Sequence, residues 1–136
     1  MTHPLFARKR LEVAADGAWV DKADVPSLGG GAILVRGLTS DAARDAFNSK
    51  ARGIGPDGRA PDKTILPSVH ARHTREVLSQ VCILDVRDMP FSADEVRAMV
   101  LDAGYEGLIG ACIAACQVVD LRSQESDQTE ALSGNL

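Results

Sequence analysis

A chain of 136 residues, 45% apolar and 25% charged, can bury one core without disulfide or metal staples. Aromatics make up only 4%, so that core has to be built from Ala, Val, Leu and Ile. The net charge of −4 is uneven, with 12 Lys/Arg against 8 Asp/Glu in residues 1–75 and 3 against 11 in residues 76–136, and the basic residues cluster nowhere beyond Arg8-Lys9-Arg10, which argues against a nucleic-acid partner.

In chain order, Leu11-Glu12-Val13 and Ala18-Trp19-Val20 flank the turn signal Asp16-Gly17 and suggest a short hairpin. Pro26 and Gly29-Gly30-Gly31 mark a joint, followed by the strand-like run Ala32-Ile33-Leu34-Val35-Arg36. Ser40 and Asp41 then predict a helix over Asp41–Arg52, with Ala42, Ala43, Ala46 and Phe47 on one face and Gly53 as its stop. Residues 53–67 hold three Gly and three Pro and read as a loop. Thr64 or Ser68 is expected to open the next helix, whose stripe is Val69, His73, Val77, Leu78 and Val81. Cys82-Ile83-Leu84 prolongs the apolar run beyond that stripe, and Arg87-Asp88-Met89-Pro90 is a second turn.

The local grammar is clearest from Phe91 onward. Ser92 and Glu95 have capping-box spacing, with Phe91 and Val96 placed as a hydrophobic staple. The helix they start is expected to bury Val96, Met99, Val100 and Ala103 and to stop at a left-handed Gly104. A last helix, Glu106–Leu121, is apolar nearly all round. Leu108, Ile109, Cys112, Ile113, Cys116 and Val119 form a bulky arc, while Gly107, Gly110, Ala111, Ala114 and Ala115 form a small one. Such a helix needs cover on both sides, either from its own domain or from another chain. The small face together with Met99 is therefore the candidate partner-binding surface, for another protein or for a second copy of this chain. Residues 1–121 are expected to form one domain and the polar residues 122–136 a disordered tail. The fold class that follows is mainly helical α+β, a small N-terminal β element packed on three to four helices.

No catalytic constellation is apparent. Gly29-Gly30-Gly31 precedes a strand and lacks the Lys of a phosphate-binding loop. His70, His73 and Glu76 share a helix face and make a weak metal-site candidate, the basis of an alternative reading as a small metal-dependent enzyme. Cys112 and Cys116, one turn apart, and Cys82 read as buried small hydrophobes rather than nucleophiles or disulfide partners. No catalytic residue, cofactor or metal is therefore assigned. The odd cysteine count, the absence of an apolar run behind the N-terminal charges, and an apolar stretch (Leu108–Leu121) too short to span a bilayer lead us to expect a cytoplasmic protein with no membrane association.

The order of these segments resembles the tail assembly chaperones of tailed bacteriophages and prophages. The resemblance covers roughly residues 17–121. It rests on Ile33-Leu34-Val35-Arg36-Gly37-Leu38, the following helix with Ala43-Arg44 and Lys50-Ala51-Arg52, then Cys82-Ile83-Leu84-Asp85-Val86, Phe91-Ser92-Ala93-Asp94-Glu95-Val96, and the acidic turn with Asp102 and Tyr105 before an Ala-rich last helix. Val86 stands where members often carry Trp, and Arg87-Asp88-Met89-Pro90 replaces their Gly-Trp-type turn. The resemblance implies a non-catalytic protein that binds the long, apolar tape-measure protein in the host cytoplasm and is absent from the finished particle. A structural tail or connector protein retained in the virion is the alternative of a different class.

Overall fold

The computed structural model describes residues 16–134, with side chains described to Gln124. Three strands and four α-helices follow in the order β1 (Ala18–Val20), β2 (Ala32–Val35), α1 (Asp41–Arg52), α2 (Pro67–Val77), β3 (Ile83–Arg87), α3 (Ala93–Met99) and α4 (Glu106–Gly134). The class is α+β and mainly α.

The sheet is antiparallel in the order β1-β2-β3, so β2 is central and pairs Trp19 with Leu34 on one side and Leu34 with Asp85 on the other. The first half of the expected hairpin, Leu11–Val13, lies outside the described residues, and Ala18–Val20 pairs with β2 instead. Gly17 leads into β1 at φ +89°, and a Cβ there would stand 2.8 Å from Leu84 Cδ1 and 3.0 Å from the Val35 carbonyl. The third strand was not foreseen as such. A five-residue π-helical turn, Leu78–Cys82, widens the end of α2 and turns the apolar run Ile83-Leu84 out of the helix onto the edge of β2. After the buried Ile83, half-buried Leu84 and Val86 alternate with exposed Asp85 and Arg87, an alternation too short to stand out beside the helical stripe before it.

Both sheet edges are closed by arginines. Arg97, on α3, donates from Nε to the Ile83 carbonyl (2.9 Å) and from Nη2 to the Leu84 carbonyl (2.8 Å), while Nη1 bonds Asp94 (2.6 Å). Arg122, on α4, donates to the Trp19 carbonyl (3.1 Å) and pairs with Asp24. Unpaired strand carbonyls are templates for edge-to-edge pairing, and guanidinium donors occupy them here. On the outer face, the Arg87 guanidinium lies 4.5 Å from the centre of the Trp19 ring.

Helix α1 has the expected bounds. The Ser40 hydroxyl accepts from the Ala43 N–H, and Gly53 caps the other end in right-handed conformation. Helix α2 departs from expectation: neither Thr64 nor Ser68 caps it. Pro67 takes the first helical position, where its missing N–H costs nothing, and Leu66 is the cap without a side-chain bond. Thr64 is instead held by Asp62 through its N–H and hydroxyl. The Ser92–Glu95 capping box is formed in both directions. Helix α3, however, ends at Met99, before Gly104. The Asp102 carboxylate captures the Gly104 N–H at 2.8 Å, which makes a local turn, so Gly104 stays out of the left-handed region and Ala103 is exposed rather than buried.

The core is aliphatic, as the composition required. Val20, Ile33 and Val35 from the sheet meet Val77, Leu78 and Cys82 from α2 and its π turn, Val96 and Val100 from α3, and Cys112, Cys116 and Val119 from α4. Each buried Val, Leu or Ile contributes about 1.5–3 kcal/mol of transfer free energy.

Helix α4 does not end at Leu121. Asp120 is buried and accepts from the Leu38 N–H (3.1 Å), the Thr39 N–H (3.2 Å) and the Thr39 hydroxyl (2.6 Å). With Arg122 anchored on β1 and Ser123 buried, the folded unit runs past residue 121. Backbone helix continues from there to Gly134, through a stretch holding the good helix formers Gln, Glu, Ala and Leu.

Candidate protein-binding surface

Two apolar concavities flank α4. The first, about 350 Å³, lies between the turn after β3, α3 and the first turns of α4, and is lined by Leu28, Met89, Phe91, Val96, Met99 and Leu108. Its shape depends on Gly31. A Cβ there would come within 2.6 Å of Met89 Cγ and 3.3 Å of the Asp88 carbonyl, so a side chain at 31 would push the methionine into the opening. Asp88 itself sits at φ +55°, which turns the chain so that Met89 points back over Gly31. Phe91, expected as the hydrophobic staple of α3, is 43% exposed at the rim, and Val96 forms part of the floor. Two methionines with unbranched, polarizable side chains and one rim aromatic make a wall that can adapt to an apolar side chain.

The second concavity, about 380 Å³, runs between α2 and α4. Ala71, Thr74, Arg75, Glu106, Ile109 and Gly110 line it. Nε of Arg75 is buried and has no hydrogen-bond partner among the described residues.

The predicted partner-binding residues divide. Met99 is half-buried and lines the first cavity. Gly107 and Gly110 are exposed, Ala114 is half-buried, and a Cβ on either glycine would meet nothing within 4 Å. Ala111 (7% exposed) and Ala115 (0%) belong to the chain's own core and are not available to a partner. The physical reason is that small side chains also let α4 lie close to the sheet. The helix is therefore turned so that Ala111, Cys112, Ala115, Cys116 and Val119 face inward, while the larger Ile109 and Ile113 are only half-buried toward α2.

Comparison with protein-family models, curated proteins and solved structures finds no match for this chain. Its function has to be read from its own surfaces.

The side chains of His70, His73 and Glu76 are each engaged structurally. His73 is 6% exposed, and burial pushes its pKa below the ordinary 6.5. The His70 ring stacks on Phe47 at 5.8 Å, and Glu76 lies 3.8 Å from Lys50 Nζ. The face proposed for these three residues is thus split between core, aromatic stack and ion pair. Among the described residues no group of three or more His, Cys, Asp or Glu is arranged to hold a metal ion. Cys82, Cys112 and Cys116 are free and buried. Burial raises the Cys112 thiol to about 12, and a hydrogen bond with Cys82, together with burial, raises Cys116. Raised thiol pKa values disfavour the thiolate that nucleophilic chemistry needs. Among the described residues, no helix is long and apolar enough to cross a membrane.

What sequence reasoning missed in this surface is the contribution of the turns. Leu28, Gly31 and Met89 come from two loops that only the sheet register brings together, Ala32 pairing with Arg87. The sequence carries no periodic signal for such a meeting.

Proposed function

We propose that this chain is a non-catalytic assembly chaperone of the tailed-phage type, which binds an apolar helical segment of the tape-measure protein in the host cytoplasm during tail assembly. The observation that carries the reading is the open apolar cavity at Met89, Phe91, Met99 and Leu108, with Phe91 exposed at its rim. A cavity of about 350 Å³ holds one or two bulky side chains of a docked helix. Methionine-lined walls tolerate variation in which side chains those are, and a protein that screens a long repetitive helical chain needs such tolerance. The order of segments described above supplies the family to which this behaviour belongs.

Co-expression of the tagged chain with fragments of a tape-measure protein, followed by pull-down, tests the reading. The native chain should retain at least one fragment. Met99→Glu and Phe91→Asp, which place a charge at the cavity wall and rim, should lose it while keeping a native circular dichroism spectrum. Folded variants that bind as well as the native chain, or a native chain that retains no fragment, would refute the proposal. Mass spectrometry of purified virions separates it from the structural-tail alternative, because abundant peptides from this chain would mark a retained component.

A further inference from the structure

The groove between α2 and α4 carries an electrostatic mismatch that the isolated chain does not resolve. Arg75 is half-buried on the last turn of α2, its Nε has no acceptor, and no ion pair to it is found among the described residues. Glu106, at the start of α4, lines the same groove and likewise makes no ion pair or side-chain hydrogen bond among the described residues. A buried guanidinium nitrogen without an acceptor is costly, so a carboxylate arriving from outside would be favoured there. The rest of the surface is suited to a close helix. Gly107 and Gly110 leave the α4 backbone open, with Ala114 one turn further on. Leu121 is 57% exposed toward the far end of α4, and Tyr105, which directly precedes the helix, is 44% exposed.

We propose that this face is half of an isologous dimer interface, in which the α4 helices of two copies pack antiparallel across Gly110 and each copy's Glu106 pairs with the other copy's Arg75. The choice of a second copy follows from self-complementarity: one unpaired cation and one unpaired anion share a groove, and a twofold axis turns one mismatch into two ion pairs. The geometry agrees. Glu106 lies four residues, about 6 Å, before Gly110 along the axis. A twofold near Gly110 carries the second copy's Glu106 the same distance beyond it, level with Ile113, which lines the same groove as Arg75. The same operation carries Leu121 of each copy past the start of the other copy's α4, the end at which Tyr105 is exposed. The open glycines allow the short interaxial distance that such packing needs. This interface lies apart from the Phe91–Met99 cavity, and the proposal does not depend on what that cavity binds.

Sedimentation equilibrium of the purified chain over roughly three decades of concentration provides the test, with charge reversal as the probe. The native chain should be a dimer at tens of micromolar. Arg75→Glu and Glu106→Arg should each be monomeric, with the dimer weakened by about a hundredfold, because each places two like-charged pairs in the interface. An equimolar mixture of these two variants should recover a dimer, since every heterodimer restores both opposite-charge pairs. An Arg75–Glu106 pair within one chain could not produce that rescue. Gly110→Leu supplies a variant that does not depend on the tolerance of α2. It should keep the monomer's circular dichroism and lose the dimer, because the position is open in the single chain. A native chain that is monomeric throughout, single reversals that dimerise as tightly as the native chain, or a mixture of folded variants that stays monomeric would each overturn the proposal.

Discussion

Replacing Asp120 with Ala removes the bond set that fixes α4 to the turn between β2 and α1. The carboxylate accepts three hydrogen bonds, at 3.1 Å from the Leu38 N–H, 3.2 Å from the Thr39 N–H and 2.6 Å from the Thr39 hydroxyl. Bonds to a charged acceptor contribute about 1.5–3 kcal/mol each when fully formed. Here Asp120 is buried but Thr39 is exposed, so water can satisfy the hydroxyl and, in part, the Thr39 amide after truncation. Counting the Leu38 amide in full and the Thr39 groups at about half, we expect a loss of about 3–6 kcal/mol, a large share of the stability of a small domain. At about 3 °C per kcal/mol for a chain of this length, Tm should fall by roughly 10–20 °C. Urea unfolding followed by circular dichroism measures it, with a lower midpoint at unchanged slope. Thr39→Val, which deletes only the hydroxyl donor, should cost about 1 kcal/mol. If Asp120→Ala shifts stability by less than about 1 kcal/mol, the carboxylate is not the pin that places α4, and the orientation inferred for both faces of that helix fails with it.

Arg97→Ala frees the Ile83 and Leu84 carbonyls on the β3 edge, and should cost about 2 kcal/mol and increase aggregation during refolding, read by light scattering; a variant as stable and as soluble as the native chain would contradict the edge-cap role. His73 is held below its ordinary value of 6.5 by burial, so the unfolded chain binds more protons just below that pH, and stability should fall as pH drops from about 6.5 toward the lower folded value; His73→Gln should flatten that slope in urea midpoints measured from pH 7.5 to 5, and an unchanged slope would assign it elsewhere. The three buried thiols, with Cys112 raised to about 12, should react with a thiol reagent at neutral pH only as fast as the chain opens, and all three should react at once in denaturant; rapid labelling of the native chain would place a cysteine on the surface.

The elements most legible in the sequence were those with a local chemical signature. Ser40 and Ser92 each bond the N–H three residues on, so α1 and the start of α3 follow from a few adjacent residues. Elements that depend on distant neighbours were read less well. Strand β3 exists because β2 offers an edge, and nothing within Ile83–Arg87 names that partner. The start of α2 was misplaced because two plausible hydroxyl caps flank a proline, and the proline's fixed φ decided the matter. The end of α3 was misplaced because Asp102 competes for the Gly104 amide. In the candidate surface, Met99 was legible as the odd residue of a helical stripe, whereas Leu28, Gly31 and Met89 are joined only by tertiary pairing.

Helix α4 shows why a small-residue stripe cannot be assigned to a partner by spacing alone. Gly, Ala and Cys allow close approach from whichever side a backbone comes, and this helix is approached from two. On the sheet side, Ala111 and Ala115 let the helix settle against β1 and β2, and the Asp120 and Arg122 bonds lock its rotation there. Once that rotation is fixed, Gly107 and Gly110 are left outside with open space where a Cβ would be, and an exposed glycine within a helix, as at Gly110, costs about 1 kcal/mol relative to alanine. That cost, beside an arginine whose Nε lacks an acceptor among the described residues, falls on one face of the helix. Natural sequences keep unfavourable local choices where something outside the fold repays them. The two faces of α4 are therefore separable by experiment: substitutions at Ala111 or Ala115 should be read as stability, and substitutions at Gly107 or Gly110 as association.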